Sequence, residues 1–111
     1  MRLMDALSEM KCAIDDFARE RDWEQFHTPA NLAKSIAIES GELLECFQWN
    51  EDEFDLAQVK EELADVLNYC MRLASVLDLD VRQIVLDKIE KNRAKYPVEK
   101  AKGRSVKYDR L

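Results

Sequence analysis

Residues 36–49 read Ile36-Ala-Ile-Glu39-Ser-Gly-Glu42-Leu-Leu-Glu45-Cys-Phe-Gln-Trp49. Apolar side chains recur at three- and four-residue spacing on the line Leu32, Ile36, Leu43, Cys46, which is one face of an α-helix. Glu39 interrupts that line where a core residue belongs, and Glu42, three residues on, shares its face. The next apolar segment repeats the arrangement in Lys60-Glu61-Glu62-Leu-Ala-Asp65-Val-Leu-Asn-Tyr69. Glu62 sits between Val59 and Val66 on the stripe, and Asp65 has Tyr69 one turn below. Two consecutive helices, each carrying a carboxylate on its apolar stripe and a second three residues later, set both the fold class and the chemistry to look for.

Outward from these segments the periodicity predicts two more helices. Leu3, Leu7, Met10, Ile14, Phe17 and Ala18 form one face of a first helix over about residues 3–21. The segment Asp22–Thr28 breaks that pattern. Thr28 is placed to cap the second helix, with Pro29 in its first turn, and this helix is predicted to run to about Trp49. Asn50–Asp55 is a short polar connection, and the third helix runs to about Leu77. Asp80 caps a fourth helix that ends near Lys95, because Tyr96-Pro97 cannot continue it. The basic stretch Val98–Leu111, with Gly103, is expected to hold little regular structure. Connections this short favour antiparallel neighbours, hence an all-α four-helix bundle. The apolar faces of helices two and three are wider than one small bundle requires, which predicts completion by homo-oligomerisation. The expected organisation is one domain over residues 1–97 and a basic C-terminal tail over 98–111.

Composition agrees with this outline. The 111 residues suit one compact domain. Two Gly and two Pro leave too little turn chemistry for a many-stranded β fold. No apolar run reaches the roughly 18–20 residues of a membrane span, and the N-terminus has no signal-peptide hydrophobic segment. A cytoplasmic protein without membrane contact is expected. Cys12, Cys46 and Cys70 are odd in number, lack CxxC spacing and fall in apolar helical patterns, so they are read as reduced core residues. The net charge of −6 is uneven: residues 1–81 hold 7 Lys+Arg against 19 Asp+Glu, and residues 82–111 hold 10 against 4. The acidic bulk argues against nucleic acid polymers as partners, while the basic end suits one small polyphosphate.

An unpaired buried carboxylate takes up a proton or finds a cation. Glu39, Glu42, Glu62 and Asp65 converging from two facing helices form an oxygen-only ligand set, which suits Mg²⁺ or Mn²⁺ and leaves room for water and phosphate. Glu45 and Glu61 lie one helical position away, as an outer base or as plain surface charges. The lone His27, in Glu24-Gln-Phe-His27, argues against a di-iron bundle and against zinc. No Ser-His-Asp set, Walker loop or GxGxxG is present. Trp23, Phe26, His27, Trp49 and Tyr69 fall near the acidic positions and offer flat surfaces on which a nucleobase stacks. Trp49 lies about 30 Å of helix axis from Trp23 and His27, so a shared pocket needs another helix packing, most simply a second subunit. On the fourth helix Lys88, Asn92 and Lys95 or Tyr96, with Arg93 beside them, form a polar stripe suited to anionic oxygens. Each feature taken alone is also what a solvated helix face looks like. The competing reading is therefore a non-catalytic acidic helical bundle that binds a protein partner.

The ordered set Glu39-x-x-Glu42 and Glu62-x-x-Asp65 resembles the metal motif of the MazG-like all-α nucleoside triphosphate pyrophosphohydrolases. Arg21-Asp-Trp-Glu-Gln-Phe-His-Thr-Pro-x-Asn31, Glu39-Ser-Gly-Glu-Leu43, Phe47-Gln-Trp49, Glu61-Glu-Leu-Ala-Asp65 and Lys88-Ile-Glu-Lys-Asn-Arg93 are most similar to its dCTP pyrophosphatase branch. The similarity spans about residues 15–97. It implies Mg²⁺-dependent hydrolysis of a (deoxy)nucleoside triphosphate to the monophosphate and pyrophosphate, in the service of cleansing the nucleotide pool. It implies Glu39, Glu42, Glu62 and Asp65 as metal ligands and Trp23, His27, Trp49 and Tyr69 as the base and sugar pocket. Lys88, Asn92, Arg93 and Tyr96 would hold phosphates, and the assembly would be a homodimer or homotetramer with sites built across subunits. The general base, Glu45 or a ligand carboxylate, stays open. Two positions depart from the family pattern: MazG proper has a further Glu where this chain has Ile38, and some relatives of the dCTP branch place a His where this chain has Ile14.

Overall fold

A computed structural model describes residues 4–111. Leu3, assigned to the first helical face, lies outside the described residues. The elements are α1 (Ala6–Glu20), α2 (Pro29–Glu45), α3 (Leu56–Val76), α4 (Val81–Lys95) and the single turn α5 (Val98–Ala101), with 3-10 turns at Glu24–Phe26 and Tyr108–Arg110. No strand occurs among the described residues, so the fold is all-α. The chain divides into two compact units, one ending at Leu79 and one covering Asp80–Leu111.

Each long helix begins where a side-chain oxygen satisfies an otherwise unpaired backbone donor. Asp5 accepts from the Ser8 N–H at 2.8 Å, Thr28 from Asn31 at 3.1 Å, Asp55 from Ala57 at 3.0 Å and Asp80 from Gln83 at 3.0 Å. Such a cap contributes about 1 kcal/mol. The C-terminal ends of α1 and α3 share one device. Asp22 and Asp78 adopt left-handed φ of 55° and 54°. Beyond them, the N–H of Trp23 reaches the Ala18 carbonyl at 2.9 Å and that of Leu79 reaches Ala74 at 2.8 Å. These are Schellman closures, and the first one throws Trp23 back against Phe17, ring centroids 5.6 Å apart.

Three expectations are corrected. The second helix stops at Glu45, four residues before Trp49: the N–H groups of Cys46, Phe47 and Gln48 turn to carbonyls three residues back, tightening the chain out of the α-helix. The loop is then held by Phe47 packed against Phe54, rings tilted and centroids 4.9 Å apart, and by Asn50 Oδ1 accepting from the N–H groups of Asp52 and Glu53. The C-terminal stretch holds more regular structure than expected, since Pro97 caps the turn α5 and a second turn forms at Tyr108–Arg110. The cysteines are not core residues: Cys12 and Cys70 are exposed, and Cys46 is half-buried at the C-terminal cap of α2.

In the first unit α3 is central, packing along α2 and against α1. The buried apolar side chains among the described residues are Leu32, Ala18 and Ala74, two of them alanines that let helix backbones approach closely. Ile38, Leu44, Leu56, Leu63 and Leu67 are exposed on α2 and α3. Among the described residues no helix is long and apolar enough to cross a membrane.

Candidate active site

The periodicity that places Glu39 and Glu62 on apolar stripes is reproduced by the packing. Ile36, Glu39 and Leu43, with Cys46 at the cap, are the sheltered side of α2, and Val59, Glu62, Val66 and Tyr69 that of α3. Because α2 and α3 pack along these stripes, oxygens of Glu39, Glu42 and Glu62 come within 4.8 Å of one another. Oε2 of Glu39 and Oε2 of Glu62 are buried without a hydrogen-bond partner. The Glu42 carboxylate, close enough to share a proton, pushes Glu39 up to about 7, with lost hydration and repulsion from Glu42, Asp65 and Glu62 acting in the same direction. Burial, then Glu42, raises Glu62 as well, with Asp65 and Glu61 adding repulsion. Orphaned oxygens in a crowded acidic cluster are the donor set of a hard divalent cation. Asp65 is exposed and stands outside this three-carboxylate ring, though near enough to repel it. Glu45 and Glu61 are exposed and not part of the ring.

Beside the cluster lies a cavity of about 470 Å³ walled by Ile14, Phe17, Trp23, His27, Asp65 and Tyr69. Trp23 is delivered by the Schellman closure of α1, and His27 by the 3-10 turn that follows, with the two rings 6.3 Å apart edge to face. Asp65 contributes to this wall, which joins the acidic cluster to the aromatic surface. Ile14, the position that departs from some relatives, is one of the cavity's apolar walls. Trp49 is not: it is 89% exposed, in the loop after α2.

Asn68 and Arg72 also line the cavity, and neither was singled out from the sequence. Arg72 is buried at 8% exposure. Its Nε donates to Nδ1 of His27 at 2.9 Å and its Nη1 to Oδ1 of Asp15 on α1 at 2.8 Å. Lys11 holds the other Asp15 oxygen at 2.8 Å. Burial alone would raise Asp15, but hydrogen bonds from Lys11, Arg72 and Ser75 outweigh it and hold the carboxyl below its usual range. Burial, and then the Arg72 charge, lower His27 and so favour its neutral imidazole. The available signal was spacing: Asp65, Asn68 or Tyr69, and Arg72 succeed one another at three and four residues on α3, with Arg72 set among Met71, Leu73 and Ala74.

Lys88, Asn92, Arg93 and Tyr96 belong to the second unit. All four are exposed on α4 or at its cap, where the Tyr96 N–H reaches the Asn92 carbonyl at 2.8 Å. Arg93 pairs with Glu90 at 2.7 Å. Tyr108 folds back so that its ring lies 6.2 Å from Tyr96 and 4.8 Å from the Lys95 ammonium.

Comparison with known proteins agrees in sequence and in fold. The sequence profile of the MazG-like family matches residues 34–111. Bovine dCTP pyrophosphatase 1 is 44% identical over 114 aligned residues, covering 95% of this chain and 68% of the bovine protein. The human dCTP pyrophosphatase 1 is 43% identical, covering 95% and 67%. The crystal structure of a pyrophosphatase from Archaeoglobus fulgidus superposes with a TM-score of 0.77 at 36% identity, over 87% of this chain and 97% of that one. The chain belongs to the MazG-like family.

Proposed function

We propose that the protein is a nucleotide pyrophosphohydrolase that cleaves a (deoxy)nucleoside triphosphate, dCTP or a modified dNTP, to the monophosphate and pyrophosphate, and so clears the nucleotide pool. The observation that carries this reading is the pair of buried, unpartnered oxygens of Glu39 and Glu62 beside an aromatic-walled cavity. The dCTP pyrophosphatases among its relatives support the choice of substrate.

In this reading Glu39, Glu42 and Glu62 would hold Mg²⁺, with Mn²⁺ as a substitute and with Asp65, beside them on the cavity wall, as the fourth ligand. A divalent ion supplies neutralisation of phosphate oxygens and a lowered pKa for water. The protein's own groups do the rest. Trp23 and Tyr69 stack the base, and His27 meets its edge. Glu45 or a carboxylate of the cluster accepts the proton of the attacking water. Lys88, Asn92, Arg93 and Tyr96 take the phosphates. Trp49 closes the pocket from a second copy of the chain in a homodimer or homotetramer, which the exposed Ile38, Leu44, Leu63 and Leu67 support. Residues 1–97 act as the catalytic domain, with 98–111 as an appended basic segment, in the cytoplasm. The test is dCTP turnover after chelation. EDTA abolishes it and Mg²⁺ restores it; turnover that persists in EDTA overturns the metal-dependent reading.

A further inference from the structure

His27 is the single histidine of the chain, and its ring is held by a contact the proposed reaction does not require. Nε of Arg72 donates to Nδ1 of His27, so Nδ1 is an acceptor and carries no proton. In a neutral imidazole the proton is then on Nε2. The guanidinium is itself fixed. Asp15 on α1 takes its Nη1, Lys11 takes the other Asp15 oxygen, and the Arg72 side chain is only 10% exposed. His27 is fixed from its own side too, its N–H bonded to the Glu24 carbonyl at 3.2 Å and its ring set against Trp23. Three segments far apart in sequence thus converge to set one ring nitrogen.

We propose that Arg72 is a positioning residue for base recognition: by donating to His27 Nδ1 it fixes the imidazole proton on Nε2, so the cavity presents a hydrogen-bond donor to an acceptor atom, a ring carbonyl or an unprotonated ring nitrogen, on the base. The proposal rests on the reading of the cavity as the base pocket. A ring free to change tautomer would offer a donor in one state and an acceptor in the other, and would discriminate poorly between base edges. A fixed donor discriminates, because a base edge that also donates leaves two buried donors facing each other. The groups around the ring act on it in opposite senses. Arg72 opposes a charged imidazolium, and Glu24 favours one. Asp15 and Lys11 act at one remove through Arg72, and Asp65 lines the same cavity.

The test uses ¹⁵N NMR of the one histidine in the whole protein, which reports each ring nitrogen separately without needing turnover. Wild type shows a bare Nδ1 and a protonated Nε2 at pH 7, and titrates below an ordinary histidine. In R72M the tautomers mix and the titration moves up. The KM for dCTP rises about 3- to 10-fold, the worth of one neutral hydrogen bond, while kcat changes less. A protonated Nδ1 or mixed tautomers in the wild type overturn the proposal. So does an R72M protein with an unchanged His27 spectrum, or one that loses kcat alone. The wild-type spectrum stands on its own if R72M does not fold, and it holds its meaning even if dCTP proves not to be a substrate.

Discussion

Glu39 on α2 and Glu62 on α3 face each other across the helix pair, each with a buried Oε2 that no protein donor satisfies. Together with Glu42 they hold carboxylate oxygens within 4.8 Å, an arrangement that opposes folding as long as all three are ionised. Apolar residues one turn away on either side fix the helical register, so the acids cannot rotate out to solvent without exposing Ile36, Leu43, Val59 and Val66. The packing therefore imposes a repulsion that a cation relieves.

Replacing either acid by its amide keeps the shape and removes one ligand charge. E39Q and E62Q are expected to lose at least about 100-fold in turnover, as first ligands of a divalent ion do. In EDTA both variants melt no lower than wild type, and higher if repulsion dominates. Activity and melting curves with and without Mg²⁺ check this. Activity retained at saturating Mg²⁺ removes the ligand assignment, and a large loss of stability in EDTA gives the residue a structural partner instead.

The same crowding sets a pH dependence. Glu39 stands near 7 in the folded protein against 4.5 as its ordinary value, so the folded state keeps a proton that the unfolded state releases. Metal-free stability is then highest below the ordinary value and falls as pH rises through the window up to about 7, and Glu62 adds in the same direction. Mg²⁺ takes the place of the proton and flattens or reverses the slope. Denaturant titrations from about pH 5 to pH 8, with EDTA or Mg²⁺, read the sign directly. Metal-free stability that rises over this range contradicts the account.

Much of this was legible in the sequence because it depends on short-range spacing. Thr28 and Asp80 announce helix starts through local hydrogen bonds, and Glu39 and Glu62 stand out because a stripe must be apolar to pack. What was not legible depended on partners far along the chain. Arg72 reads as one more charge near the end of α3, and only the fold brings it to His27 and Asp15. Nor does periodicity say where a helix frays: Phe47 and Trp49 continue the apolar pattern of α2, yet the backbone leaves the α-helix at Cys46. The exposure of Cys12 and Cys70 was missed because a helical stripe says which side is apolar and not whether anything covers it.

The C-terminal closure of α3 offers a test confined to the backbone. Asp78 holds φ of 54°, a region costly for a side-chain-bearing residue, and places a negative charge at the negative end of the helix dipole. D78G is expected to stabilise the protein by about 0.5–1 kcal/mol, measured by thermal or denaturant unfolding. A lower midpoint shows that the Asp78 carboxylate has a favourable role that its position in the closure does not reveal.

Trp49 tests the assembly. It is almost fully exposed, so W49A leaves the unfolding midpoint close to wild type. W23A and W49A are each expected to lose most of the affinity for dCTP. Mixed and allowed to exchange subunits, the two variants regain roughly a quarter of wild-type activity, because half the dimers are hybrids and each hybrid keeps one intact pocket. No gain on mixing places both tryptophans in the same subunit or in separate functions.

The central claim is tested most directly by product analysis. The protein is incubated with a panel of dNTPs and NTPs, modified dNTPs included, in the presence of Mg²⁺, and the products are separated. The account predicts the monophosphate and pyrophosphate in equal amounts, with dCTP or a modified relative turned over fastest. Release of single phosphate with the diphosphate, or no turnover of any triphosphate, contradicts it, and the latter result returns the protein to the reading of an acidic bundle that binds a protein partner.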